Sequence, residues 1–266
     1  MWLIHTSQRL LAASRTSLDV RDILQSCVTQ IVGAMWNVST CECSVSTLLL
    51  ASSLRGAATP DEAEDEAFAE SVAQIQELGS EVIALAPRSI DATTITVDNM
   101  GAGYDAADHL LALGHQRLAV VAGPSGLYTA TERLRGIKRA IADHDAASPV
   151  IYPGDFTYEA GRAAAARILA ERVRPDGIVG CNDESAIGVV TGLREAGLRV
   201  PDDVSVVGIG NTRPARFLDL TTVSIPAYEL GAAAARAILS GEVGGRTTIL
   251  QHRLLPRSTS VRREAT

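Results

Sequence analysis

The sequence predicts an α/β protein built on doubly wound parallel sheets, and three observations carry that prediction. From Val45 onward, short β-branched or apolar runs alternate with amphipathic, alanine-rich stretches. The candidate strands read as continuous apolar runs, which suits strands buried on both faces of a parallel sheet. Aromatic residues are only 4% of a 266-residue chain in which hydrophobic residues reach 46%. β-Sandwiches draw more on aromatics than helices packed on parallel strands do. A chain of this length buries a substantial core, as one large unit or as two of ~100–150 residues.

Taken in order, residues 1–44 are atypical. They are rich in Ser, Thr, Cys and Trp, define no strand, and suggest one helix near 19–34. Strands are then expected at 46–51, 81–85, 93–97, 117–122, 176–180 and 204–209, with a last one near 248–254. Helices are expected at 62–78, 103–113, 131–143, 158–172, 184–196 and 228–240. Alternation of this kind calls for right-handed crossovers and a doubly wound arrangement. Asp183 is placed to cap the helix beginning at Glu184, and Gly197 follows its last turn. Gly114 closes the helix that runs through His109, and Pro201-Asp202-Asp203 turns the chain into the strand VSVVGI.

Charge and composition exclude several functions. The formal net charge is −7, so the chain lacks the clustered Lys and Arg that neutralise a phosphate backbone. No run of ~18 apolar residues exists, and no membrane span is expected. The start, Met-Trp-Leu-Ile-His, has no basic region ahead of an apolar stretch, so the cytoplasm is the expected location. Cys27, Cys41, Cys43 and Cys181 do not form a second close pair beside Cys41 and Cys43, so free thiols are expected and no metal site.

Three motifs were candidates for chemistry. Gly101-Ala-Gly103-Tyr-Asp-Ala106 spells GxGxxA between a strand and a helix, the outline of a dinucleotide-binding turn. Three residues separate it from the strand end at Val97, and no acidic residue ends the next strand, so a plain helix entry is expected and no cofactor. No GxSxG elbow and no HExxH pattern occurs, and His115, in a turn, is expected to be solvated. The third candidate is a ring of polar residues after the strands. It comprises Asp98, Asn99, Thr129, Thr131, Arg133, Asp155, Phe156, Asn182, Asp183, Asn211 and Thr212. Ligands of open α/β sheets bind beyond the carboxyl ends of strands, and these side chains offer hydrogen bonds and a stacking face to a small polar molecule. Most of them also suit caps and turns, Asp183 above all. Arg133 does not, because an arginine early in a helix opposes the helix dipole.

The ordered segments resemble the sensor domain of LacI/GalR-type bacterial transcription regulators. They are Val97-Asp98-Asn99, AADHLLALGHQRLAVVAGP (106–124), Glu132-Arg133-Leu134-Arg135-Gly136, GDFTYEAG (154–161) and Asn182-Asp183-Glu184-Ser185-Ala186. LRVPDDVSVVGIGN (198–211), LTTVSIPAYELG (220–231) and Arg257-Ser258-Thr259 follow. The resemblance covers about residues 45–260. It implies a periplasmic-binding-protein-like type I fold, two doubly wound subdomains around a cleft. Residues 45–123 with about 226–247 would form the first, and 124–225 with about 248–260 the second. The crossings are expected near Gly123-Pro124 and Leu220–Pro226.

The resemblance further implies an effector-binding sensor, not an enzyme, that takes a sugar-like or nucleoside-like ligand and signals by closing. Arg133 corresponds to the arginine that grips the effector, Asn182 to a polar contact and Phe156 to an aromatic wall. Asp183 and Thr129 complete the expected ligand-binding set. A homodimer is implied as well. The resemblance does not extend over residues 1–44, so the first subdomain is expected to be incomplete, with DNA reached only through a headpiece this chain lacks. Gly210 stands where the family's acidic residue is usual. Three rival readings stand beside it: a solute-binding protein of a sugar transporter, a nucleotide-dependent enzyme using Gly101 and Gly103, and a non-functional truncated remnant.

Overall fold

The structure is a computed structural model. It describes residues 47–50 and 69–263, apart from 71, 74–75, 78–80, 88–89 and 242–243. Segment 1–44 with its helix near 19–34, and most of the helix expected over 62–78, lie outside these residues. The chain divides into two compact units. One comprises the residues up to Val97 together with Pro226–Leu250, the other Asp98–Ile225 together with Gln251 onward.

In the first unit, β1 (Thr47–Leu50), β2 (Glu81–Ala84), β3 (Thr93–Val97) and β9 (Thr247–Leu250) form a parallel sheet in that order. Val82, Ala92 and Val72 are packed together beside it. The helix Ala227–Ser240 packs on β3 and ends at Gly241, whose φ of 66° gives a left-handed cap.

The second unit carries the larger core. Its strands are β4 (Leu118–Val121), β5 (Val150–Tyr152), β6 (Gly177–Gly180), β7 (Ser205–Gly210), β8 (Thr221–Ser224) and β10 (Arg253–Leu255). They lie in the order β10-β8-β7-β6-β4-β5. All neighbours are parallel except β10, which runs antiparallel to β8. The helices of this unit are α1 (Asn99–Ala112), α2 (Tyr128–Asp143), α3 (Tyr158–Ala170), α4 (Asp183–Glu195) and α5 (Arg213–Phe217), so Ala227–Ser240 is α6.

The sheet is covered on both faces, because successive residues of a strand point to opposite sides. Ala119, Val121, Ile178 and Val206 join one apolar cluster with α3 and α4. Val120, Val179, Val207, Ile209 and Val223 join the other with α1 and α2. The helices of each layer approach backbone to backbone. A Cβ on Gly103 would strike the carbonyl oxygen of Arg133, and one on Gly136 that of Met100, so α1 and α2 cross where neither has a side chain.

Several expectations are corrected here. The first division falls between Val97 and Asp98, not near Gly123-Pro124. β4 pairs with β5 and β6, and α1 packs against α2, so residues 98–123 belong to the second unit. The single strand expected near 248–254 is two strands, β9 and β10, in different sheets. α1 starts at Asn99, four residues early, because the Asp98 side chain accepts from Gly101 N at 2.7 Å and caps it. Gly101 and Gly103 therefore lie inside a helix, not in a phosphate-binding turn. His115 is 2% exposed rather than solvated: its Nε2 donates to the Val261 carbonyl at 3.0 Å, part of a C-terminal segment laid along this unit. Thr259 and Arg263 extend the same contact, through Val206 O and Leu113 O. β5, β8 and α5 were not anticipated. No helix among the described residues is long and apolar enough to cross a membrane.

Candidate functional site

Strand order locates the site. The chain leaves β4 through α2 to reach β5 on one side, and leaves β6 through α4 to reach β7 on the other. α2 and α4 thus cover opposite faces of adjacent strands. Their starts flank the switch point of the sheet, where open α/β folds form a crevice beyond the carboxyl ends of the strands.

Arg133 stands at that point. It lies in the second turn of α2 and is 8% exposed. Its Nε donates to Asn99 Oδ1 at 3.1 Å and its Nη1 to the Cys181 carbonyl, at the end of β6, at 2.7 Å. Its guanidinium lies 5.9 Å from the centre of the Phe156 ring. Among the described residues no carboxylate comes within ion-pairing distance of it. Burial pushes its pKa down to about 10, with Cys181 and Asp183 opposing the shift, so it stays charged at neutral pH. Nη2 makes no hydrogen bond among the described residues, yet it is not among their sealed, unpaired atoms.

Phe156 and Asn182 are locked to one another. Asn182 caps α4 by accepting from Ser185 N at 3.0 Å, and its Nδ2 donates to Phe156 O at 2.7 Å. Phe156 has a φ of 69°, a costly conformation for a residue with a side chain, and that hydrogen bond helps hold it. Gly123 leaves room for the ring: a Cβ there would overlap it.

Asp183 is placed differently from its expected roles. It is the first residue of α4, not its cap, and it is fully buried. Oδ2 accepts from Thr212 N at 2.7 Å and Oδ1 from the Thr222 hydroxyl at 2.6 Å. Burial raises its pKa above the ordinary carboxylate value, against the hydrogen bonds from Thr222 and Thr212. It fastens the β7–α5 connection to α4 and presents no acceptor to a ligand. Thr212 in turn caps α5.

The rest of the ring serves locally. Asn211 accepts from Arg257 Nη2 at 2.7 Å and donates to Ser224 Oγ at 3.1 Å. Asp155 accepts from Thr157 N, and Asp98 caps α1. Thr129 sits half-buried in the first turn of α2, and Thr131 is exposed. The structure therefore brings together Arg133, Phe156, Asn182 and Asn99. The Cys181 carbonyl, which completes the group, is a backbone atom that residue types do not reveal. Among the described residues no cluster of His, Cys, Asp and Glu could hold a metal ion. Cys181 is buried, with its thiol pushed up to about 11 by burial.

Comparison with known proteins gives a consistent picture. The profile of the periplasmic binding protein-like domain matches residues 107–266. The chain is 34% identical over 152 residues to catabolite control protein A of Priestia megaterium, covering 54% of this chain and 45% of that one. It is 33% identical over 158 residues to the HTH-type transcriptional regulator CelR of Thermobifida fusca, covering 58% and 46%. The chain spans about half the length of the curated relatives it matches. Among solved structures, a LacI family transcriptional regulator from Enterococcus faecium with bound ribose superposes with a TM-score of 0.71, at 22% identity, over 92% of this chain and 97% of that one.

Proposed function

Since the chain belongs to the family of periplasmic binding protein-like domains, we propose that it is the effector-sensing part of a LacI/GalR-type transcriptional regulator. A small polar effector sits at the carboxyl ends of β4, β5 and β6, and its binding controls attachment to DNA. Arg133 grips the effector, Phe156 stacks on it, and Asn182 and Thr129 border it. The protein acts in the cytoplasm as a homodimer, and catalysis is no part of this reading. The transcription regulators among its relatives support it, as does the ribose held by a protein of the same fold.

One observation carries the proposal. A buried, charged guanidinium stands at the switch point with two of its groups fixed by Asn99 and Cys181 and a third, Nη2, without a partner among the described residues. Fixing two donors orients the third, so the effector meets a group already held in place.

A thermal melt across sugars, nucleosides and nucleotides tests this. A compound that binds only the folded protein adds ~2.7 kcal/mol of stability at a hundredfold excess over its Kd. The expected result is a raised midpoint with one chemical class, lost in Arg133→Gln. A flat response across the whole panel contradicts the proposal.

A further inference from the structure

We infer that the hydrogen bond between His252 and Asp105 is a catch on the hinge: it pins the third chain crossing between the two units to α1 and so limits their swing. The inference rests on the sensor reading for its purpose, because a sensor that signals by closing needs crossings of defined play. Its test needs no effector.

The crossings are short. The chain passes between the units at Val97–Asp98, Ile225–Pro226 and Leu250–Gln251. Asp98 alone separates β3 from α1, Ile225 and Pro226 separate β8 from α6, and Gln251 and His252 separate β9 from β10. Hinges take up their change of φ and ψ in a few residues at the ends of elements. These residues therefore carry any swing. The first two crossings are held locally. Asp98 is held by its cap bond to Gly101 N. Pro226 has its φ fixed by its ring, and Ile225 N donates to Gly210 O at 3.3 Å. The third is held through a side chain, that of His252.

Val97 and Leu250 are partners in register, so the first and third crossings leave their sheet side by side. Both then land on the first two turns of α1. Asp98 caps the helix, and His252 Nε2 donates to Asp105 Oδ2 at 3.0 Å. Gly101 makes room for both: a Cβ there would overlap the Asp98 carboxylate and the His252 ring. That gives a role to the glycine of the GxGxxA pattern that the contact of α1 with α2 leaves over. The His252 side chain is 9% exposed, and its enclosed Nδ1 has no partner among the described residues. Asp105 is thus the ring's one polar tie among those residues, and the bond sets its tautomer, with the proton on Nε2. A carboxylate acceptor makes that tie a strong one. α1 is itself fixed by its close crossing with α2 and by the apolar cluster it shares with the sheet. What is tied to α1 is tied to the second unit.

The test uses the whole chain without ligand, with Cys27, Cys41 and Cys43 replaced by serine and the buried Cys181 kept. Nitroxide labels are placed through Lys138→Cys on α2 and Arg236→Cys on α6, both exposed positions. Pulsed dipolar spectroscopy then reads the spread of distances between the units. Two variants break the pair. Asp105→Ala puts a strong helix former at a half-exposed site and so keeps the fold. His252→Phe keeps a buried ring without the bond. Two variants serve as controls. Asp105→Asn keeps an oxygen to accept from Nε2. Asp108→Ala breaks a like pair on the same helix, with His144 at 2.7 Å, that involves no crossing residue. The inference expects the spread to widen about twofold in both pair-breaking variants. It also expects amides 251–253 to exchange about tenfold faster in them. Asp105→Asn and Asp108→Ala keep the native spread. A native spread in either pair-breaking variant overturns the inference, and so does equal widening in Asp108→Ala. Neither result bears on whether an effector binds, which the melts with sugars and nucleosides decide.

Discussion

Arg133 and Asp183 are two buried charges on neighbouring helices with opposite fates. Arg133 keeps Nη2 without a hydrogen-bond partner among the described residues and is the group proposed to bind the effector. Asp183 is closed off by Thr212 and Thr222 and belongs to stability. Asp183→Ala strands the Thr212 N–H and the Thr222 hydroxyl in the interior. Each unsatisfied buried donor costs about 1–3 kcal/mol, so a loss of roughly 2–6 kcal/mol is expected in urea unfolding. Cys181 gives a second prediction at this scale. Its thiol is buried and its pKa stands at about 11, so the native protein at pH 8 should leave it unmodified by a thiolate-seeking reagent until urea exposes it. Arg133 stands out in the sequence because a cation early in a helix needs a reason, and the structure finds it buried against Asn99 and the Cys181 carbonyl. Asp183 was misread because an acid after a strand looks like a cap or a contact alike. Its two partners come from residues 29 and 39 positions away, which no local pattern shows.

Among the elements, the crossings of α1 with α2 and of α3 with α4 set the spacing of both helical layers. Gly103 and Gly136 lie at the first, and Gly161 and Gly188 meet at the second, each facing backbone of the partner helix. Backbone cannot swing aside as a side chain does, so Gly136→Ala should force the helices apart. A loss of about 1–3 kcal/mol is expected from overpacking, enough to lower the thermal midpoint measurably. The apparent GxGxxA motif was this contact seen in one dimension. Glycines that bring two helices together and glycines that admit a phosphate look alike in sequence. The strand 93–97 was legible because all five of its residues, Thr93-Thr94-Ile95-Thr96-Val97, are β-branched and its flanks are turn-like. β5 was not, being three residues long and followed directly by Pro153. β8, Thr221–Ser224, is four residues long with Pro226 close behind it, although Thr221 and Thr222 are fully enclosed.

For the whole molecule, the C-terminal segment ties distant parts of the second unit together and makes its stability depend on pH. His115 Nε2 holds Val261 O, and His109 Nε2 pairs with Ser260 Oγ at 2.9 Å. Burial lowers the pKa of both histidines. For His115 the Asp176 carboxylate, 3.8 Å from Nδ1, works against that shift and Arg263 works with it, while His115 and Asp108 act in opposite senses on His109. The unfolded chain therefore takes up protons that the folded chain resists. Stability is full above the ordinary histidine value of about 6.5 and is lost as pH falls from there toward the lowered native values. Urea melts at pH 7.5 and 5.5 should show the decrease, and His115→Gln should reduce it. An unchanged pH dependence in that variant would remove His115 as a cause. The two-unit division was harder to read than the elements. Residues 98–123 carry the same helix–strand pattern whichever sheet they join, and only the pairing of β4 with β5 and β6 decides the matter.

The central claim is that an effector binds at the switch point of the second unit, against α2, Phe156 and Asn182. Amide hydrogen exchange with and without the compound that raises the melting midpoint tests it most directly, because it reports position. The account predicts new protection concentrated in residues 127–133, 154–157 and 181–184, and its absence there in Arg133→Gln. Protection confined to other segments, with these three unchanged, would contradict it.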